Sequence, residues 1–180
     1  SKEPPPDIVT LIPDEHVNPQ PIPAAIEAMA RLYETDDPRI TRSAIYDFLT
    51  RSKPRIHGHT GGAIAPSSDS VIKLEEITAA IKNLDSSYLA IQGPPGAGKS
   101  HTGKHVIAEL LKTGAKVGIT SNSHKAINNL LLGTAKHCRE QGISANFMTS
   151  QDTEPDLEAL GVAIVNSGQI AENLVRSCVV

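Results

Sequence analysis

A chain of 180 residues has room for one compact domain with an appendage. Its formal net charge of -3 and pI near 6.1 exclude a self-sufficient nucleic-acid binder with a broadly basic face, so any nucleic-acid contact must be local. No apolar run approaches the ~20 residues that cross a bilayer and no charged-then-apolar leader opens the chain, so the expectation is a cytoplasmic protein without membrane contact.

Residues 1–23 are dense in proline (Pro4, Pro5, Pro6, Pro13, Pro19, Pro21, Pro23), which removes backbone donors and favours an extended arm. Residues 24–85 read as a helical lead-in. Ala25, Ile26, Met29 and Leu32 recur at helical spacing, as do Ile40, Ala44, Ile45, Phe48 and Leu49 after the start signal at Pro38. Residues 53–68 lack periodicity and read as a long loop. A third helix follows, capped by Asp69 or Ser70 and burying Ile72, Leu74, Ile77, Ile81 and Leu84.

From residue 86 the pattern alternates. Strands are predicted at 88–92, 116–120, 144–148, 162–165 and 177–180, with a helix over 101–112 and another marked by Ala126, Ile127, Leu130 and Leu131. Such spacing predicts an α/β fold, a parallel sheet joined by right-handed crossovers and covered by helices on both faces. The absence of an initial Met and the stop inside the apolar run Cys178, Val179, Val180 suggest a piece of a longer chain. Cys138 and Cys178 lack the paired spacing of a metal or redox motif and read as buried small hydrophobes.

Gly93, Pro94, Pro95, Gly96, Ala97, Gly98, Lys99 and Ser100 fit the pattern G-x-x-x-x-G-K-[ST], after a predicted strand and at the start of a predicted helix. Glycines let the backbone curl so that successive N–H groups and the positive end of the helix point at an anion. Lys99 is the residue to reach the β- and γ-phosphates of ATP or GTP, and the Ser100 hydroxyl the one to ligate the Mg2+ that bridges them. Hydrolysis needs a further acid at the end of another strand, and the sequence offers none: the strand at 162–165 ends in Asn166.

The strand at 116–120 runs into Ser121, Asn122, Ser123, His124 and Lys125 before the next helix. These residues cap that helix, or grip a nucleic-acid phosphate, and one set of groups can do both.

Residues 90–102, with the phosphate-loop motif followed by His101 and Thr102, and residues 117–131, with the Ser-His-Lys-Ala-Ile run at 123–127, resemble motifs I and Ia of superfamily 1 helicases of the nonsense-decay-helicase branch. They are similar in particular to bacterial proteins that join a RecB-like nuclease to such a helicase. The likeness is close over 88–132 and loose over 41–85 and from 142 onward. It implies that residues 86–180 form part of a P-loop NTPase, a first RecA-like motor lobe. Residues 93–102 would hold ATP and Mg2+, and Ser121 to Lys125 would lie against single-stranded nucleic acid. A second RecA-like lobe and a nuclease domain would be partners in the parent chain. This sequence departs from the family in having no Gln in the helix over 72–84 to read adenine, no acid-rich motif II and no arginine fingers.

His101 and His105 lie one helical turn apart, as zinc pairs do, but no third ligand accompanies them. His57 and His59 flank Gly58 in a predicted solvated turn, and Arg51, Lys53 and Arg55 read as a solvated basic face or a nucleic-acid contact. Two alternatives to the motor lobe are a small-molecule P-loop kinase and a nucleotide-gated interaction module. The kinase is disfavoured because only Arg139 and Arg176 follow the loop to clamp a transferred phosphoryl group.

Overall fold

The computed structural model describes residues 21–64, 73–150, 155–166 and 169–170. The expectations for residues 1–20, for Asp69, Ser70 and Ile72, and for the strand at 177–180 with Cys178 lie outside the described residues.

Where the spacing predicts two helices in the lead-in, the chain forms three, α1 (Pro21–Glu34), α2 (Pro38–Thr41) and α3 (Ala44–Leu49). The breaks have local causes. Asp37 takes the N-cap position of α2 and accepts from the Arg39 N–H at 2.8 Å, with Pro38 as the first helical residue. Ser43 caps α3 by accepting from the Tyr46 N–H at 3.2 Å. Tyr33 of α1 stacks on Tyr46 of α3, ring centroids 6.1 Å apart. Met29 and Leu32 of α1 are half-buried, whereas Ile22 and Ile26 stay exposed.

Helix α4 (Leu74–Lys82) begins with Lys73 at its N-cap position, and the Glu76 carboxylate closes the first turn by accepting from the Lys73 N–H at 3.2 Å. Its C-terminal end lies antiparallel to the preceding loop. Ile56 bridges Leu84, and the His57 N–H donates to the Asn83 carbonyl at 2.8 Å.

The second half contains α5 (Lys99–Lys112), α6 (His124–Glu140), β1 (Met148–Thr149), α7 (Asp156–Ala159) and β2 (Ala163–Ile164). Strands β1 and β2 pair in parallel, Met148 opposite Ala163 and Thr149 opposite Ile164. The arrangement is α/β, helices with a two-stranded parallel sheet.

That sheet is smaller than the alternation predicts, and the difference has a physical reason. A strand is defined by a partner rather than by its own residues, and an apolar run specifies only that the chain is extended and partly buried. Residues 88–92 form no strand, and Ile91 is 45% exposed. Residues 116–120 form no regular strand beyond a bridge position at Val117, although they keep the two-residue alternation, with Val117 and Ile119 toward the core and Lys116, Gly118 and Thr120 toward solvent. The strand expected at 144–148 contributes Met148 alone, and the one expected at 162–165 shortens to Ala163–Ile164, both exposed. Both residues of β1 are buried and both residues of β2 are exposed.

The core gathers the α5 residues Ile107, Ala108 and Leu111 and the α6 residues Leu131, Ala135 and Cys138, with Phe147, Leu157 and Val162. Cys138 is buried, and burial raises the pKa of its thiol, which makes it a poor nucleophile. No helix among the described residues is long and apolar enough to cross a membrane.

Leu131 and Leu157 are fully buried. Leu131→Ala should cost roughly 2–5 kcal/mol in urea-induced unfolding, the transfer energy of the lost methyls plus the cavity left behind. Leu49→Ala, at a side chain 71% exposed, should stay within about 0.5 kcal/mol of wild type. Equal effects at the two positions would overturn this placement of the core.

Candidate functional site

The chain enters the glycine-rich loop through residues tied to the lead-in. Asp47 of α3 is only 3% exposed. Arg55 Nη1 donates to its Oδ1 at 2.6 Å, and Ser87 Oγ donates to its Oδ2 at 2.6 Å. Arg55 also donates from Nε to the Asp85 carbonyl at 3.3 Å and from Nη2 to the Ser86 carbonyl at 2.9 Å. Arg42 pairs with Asp85 at 3.0 Å. Tyr88 follows, its hydroxyl donating to the Ser52 carbonyl at 3.0 Å and its ring meeting Phe48 edge-on, centroids 5.5 Å apart. Arg55 is thus a structural tie, neither a solvated face nor a free cation for nucleic acid. The sequence signal that pointed to it is slight: Asp47 is a lone acid inside the apolar run Ile45, Phe48, Leu49.

The loop itself turns tightly, the Ala97 N–H donating to the Pro94 carbonyl at 3.2 Å. Gly96 and Gly98 have φ of +81° and +80°, a left-handed backbone that only glycine adopts at little cost. A Cβ on Gly93 would meet the Ala97 Cβ at 3.1 Å, a tight contact that Ala97 would have to yield to by a few tenths of an ångström. Gly98 is the N-cap of α5, and no side chain caps this helix. The free N–H groups of the first turn are therefore open to an anion. Lys99 folds back, its Nζ donating to the Gly93 carbonyl at 2.6 Å and the Pro94 carbonyl at 2.9 Å. Pro94, Pro95, Gly96, Ala97, Gly98, Lys99, Ser100 and His101 are exposed, Gly93 and Thr102 half-buried. These residues fit an Mg2+-nucleotide chemically, with a cationic amine at the loop, unfilled amides and an exposed hydroxyl at Ser100.

Ser121, Asn122, Ser123, His124 and Lys125 are all exposed at the start of α6. Ser123 caps that helix, its Oγ accepting from the Ala126 N–H at 3.4 Å, and Ser121 Oγ accepts from the Ser123 N–H at 3.4 Å. The capping role is therefore realised, and His124 and Lys125 remain open to solvent. Helices α5 and α6 run in the same direction: Gly103 lies against Leu130, and farther along both helices the His105 ring meets the His137 ring. Both sequence-predicted clusters, the loop and the residues 121–125, accordingly lie toward the same end of the helix pair.

Comparison with known proteins adds no relative. No family model, curated protein or solved structure matches the chain. The site therefore rests on its residues and their geometry.

Sequence spacing pairs His101 with His105, and the fold adds His137. The rings lie in series, tilted by 44° and 51° with centroids 4.3 Å apart at each step, and His105 Nδ1 lies 2.7 Å from the His101 carbonyl oxygen. Burial lowers the His137 pKa below its ordinary value of about 6.5, and the positive field of His105, Lys104 and Lys112 adds to this against the pull of Glu140. The folded state thus binds fewer protons at His137 than the unfolded chain does. The stability tied to this group is fully present above about pH 6.5 and is lost as pH falls below that value. Two depressed carboxylates act lower on the scale: Asp37, hydrogen-bonded by Arg39, is lowered from 3.8 to about 2, and Glu109 is lowered by its hydrogen bond to Lys112. Both lose their contribution only as pH falls below the ordinary carboxylate range. The melting temperature should therefore drop between about pH 7.5 and about pH 5.5, and drop less in His137→Gln. Parallel melting curves of the two proteins over that range would show this group to be uninvolved.

Proposed function

We propose that this chain binds the phosphates of ATP, with Mg2+, as the first motor lobe of a helicase that translocates on DNA or RNA. One observation carries the reading. The exposed G-x-x-x-x-G-K-S loop passes through two left-handed glycines into a helix whose first turn lacks a side-chain cap, with the Lys99 ammonium held at the loop carbonyls. A turn whose only task is to reverse the chain needs neither the lysine nor the open amides. The resemblance of residues 88–132 to helicase motifs I and Ia supports the motor over a kinase, and so does the position of Ser121 to Lys125 toward the same end of the α5–α6 pair.

Bound with the nucleotide, Mg2+ would supply neutralisation of the phosphate charge. The residues of the chain do the rest. Lys99 would exchange its two carbonyl partners for phosphate oxygens, the α5 amide N–H groups would donate to the anion at the positive end of the helix, and the Ser100 hydroxyl would offer an oxygen to the cation. Among the described residues no carboxylate stands at the C-terminal end of either strand, since β1 continues into Ser150 and β2 into Val165 and Asn166. With no such acid among the described residues, binding without turnover is the expectation.

Saturating Mg-ADP or Mg-ATP, at ~100 times the dissociation constant, should stabilise the fold by ~2.7 kcal/mol. That is a rise in melting temperature of roughly 5–10 °C for a chain of this size. Lys99→Ala should abolish the shift, and phosphate release should stay at background with or without single-stranded DNA. No shift in wild type, or the same shift in Lys99→Ala, sinks the proposal, whereas robust turnover that needs Lys99 would revive the kinase. Single-stranded DNA should bind weakly and lose affinity steeply between two salt concentrations, because only phosphate contacts are offered. Tight, salt-insensitive binding would require a base-stacking surface, for which 3% aromatic content leaves little material.

A further inference from the structure

A loop that aims several N–H groups at one anion must be held at both ends. Downstream, α5 holds it, since Val106, Ile107, Ala108 and Leu111 are buried. Upstream, a phosphate loop that follows a strand would be held by that strand's ladder. Residues 89–92 have no ladder among the described residues, and Ala90, Ile91 and Gln92 are exposed. Moving back along the chain from Gly93, the first side-chain hydrogen bonds to another element are those of Tyr88 and Ser87.

We infer that Ser87 and Asp47, with Arg55, are positioning residues for the phosphate loop, fixing the upstream end from which it hangs. The carboxylate of Asp47 is buried and both its oxygens are engaged, one by Arg55 and one by Ser87 at 2.6 Å each. A buried ion so satisfied fixes direction more than it adds stability, because without Arg55 its charge would be unpaired and without Ser87 one of its oxygens would lose its donor. Arg55 also grips the carbonyl of Ser86 at 2.9 Å, and Ser86 has a φ of +48°, a conformation that a non-glycine residue keeps only where its surroundings hold it. The Arg55 N–H donates to Ser87 Oγ at 3.1 Å, so that hydroxyl both accepts from the lead-in backbone and donates to Asp47. None of these residues is placed in contact with phosphate. Their effect on nucleotide passes through the loop, and to that extent the inference rests on the nucleotide-binding reading.

The experiment therefore uses two readouts, one of which needs no nucleotide. Backbone amide order parameters at Gly96, Ala97, Gly98 and Lys99 are measured by NMR on the full chain, and Mg-ATP affinity by calorimetry, in wild type, Ser87→Ala, Ser87→Thr, Asp47→Asn and Lys99→Ala. In Ser87→Ala and Asp47→Asn the loop order parameters should fall from near 0.85 toward 0.6 or below, while those of residues 106–111 stay put. The dissociation constant should rise about tenfold, the equivalent of one charge-assisted hydrogen bond. Ser87→Thr keeps the hydroxyl and should behave as wild type in both. If Asp47→Asn fails to fold, Ser87→Ala decides alone. A folded Ser87→Ala with wild-type loop order and wild-type affinity overturns the inference and leaves the nucleotide reading intact, provided Lys99→Ala has lost binding. Loop order that follows Ser87 in a chain that never binds Mg-ATP supports the positioning role and overturns the nucleotide reading instead.

Discussion

Helix α5 meets two opposed demands, and much of the second half of the molecule follows from how it does so. Its first turn keeps free N–H groups with no side-chain cap, a cost of about 1 kcal/mol that a short isolated helix would meet by fraying. Farther along, Val106 is buried, and Ile107, Ala108 and Leu111 are buried in one cluster with α6 residues and Phe147. Burial of side chains of this kind contributes about 1.5–3 kcal/mol each for the larger ones, which outweighs the missing cap. The helix can leave its N-terminus open because its other end is anchored in the core. Helix α6 resolves the same problem differently: Ser123 caps it from its own sequence, and Leu131, Ala135 and Cys138 anchor it.

The charge of the chain sharpens the contrast. A net charge of -3 offers no long-range attraction for a phosphate or a nucleic acid, so anion recognition must be short-ranged. Backbone amides at a helix start act over that range, and they keep their polarity whatever the pH. The histidine series does not. It runs from the first turn of α5 through His105 to His137 on α6, so a proton added at His137 is placed between two helices that share the core. Lys104 and Lys112 oppose that proton from the α5 side, and Glu140 favours it from α6.

Legibility in the sequence divided along physical lines. The α5 and α6 periods were readable because a helix satisfies its hydrogen bonds within one segment, so Val106, Ile107 and Leu111, or Leu130 and Leu131, already carry its signature. Both helices nevertheless begin earlier than the apolar period suggests, at Lys99 and His124, since polar residues form the first turns. The strands were readable only as extended segments. Val117 and Ile119 alternate inward as a strand would, yet pairing depends on a neighbour that local pattern does not name. The loop was legible because Gly96 and Gly98 are required by backbone geometry at fixed positions. Asp47 with Arg55 and Ser87 was not, because a tie between residues eight and forty positions apart leaves no period to detect. His137 joined His105 for the same reason, across two helices.

These long-range ties alter what the lead-in means mechanically. Arg42 reaches Asp85, Arg55 reaches the carbonyls of Asp85 and Ser86, Ile56 bridges Leu84, and Tyr88 is held by Ser52 and Phe48. All of them converge on residues 84–88, the stretch just upstream of the loop. A chain held there and again at Lys99 leaves 89–98 as a span with two fixed ends, and loop-closure entropy makes such a span far less costly to order around an anion than one tethered at a single end. A turn with its amides already gathered needs only the release of Lys99 from two carbonyls to present its cation. Under the proposed nucleotide-binding function, the helical lead-in would aid anion recognition without touching the anion, by reducing the conformations the loop must give up.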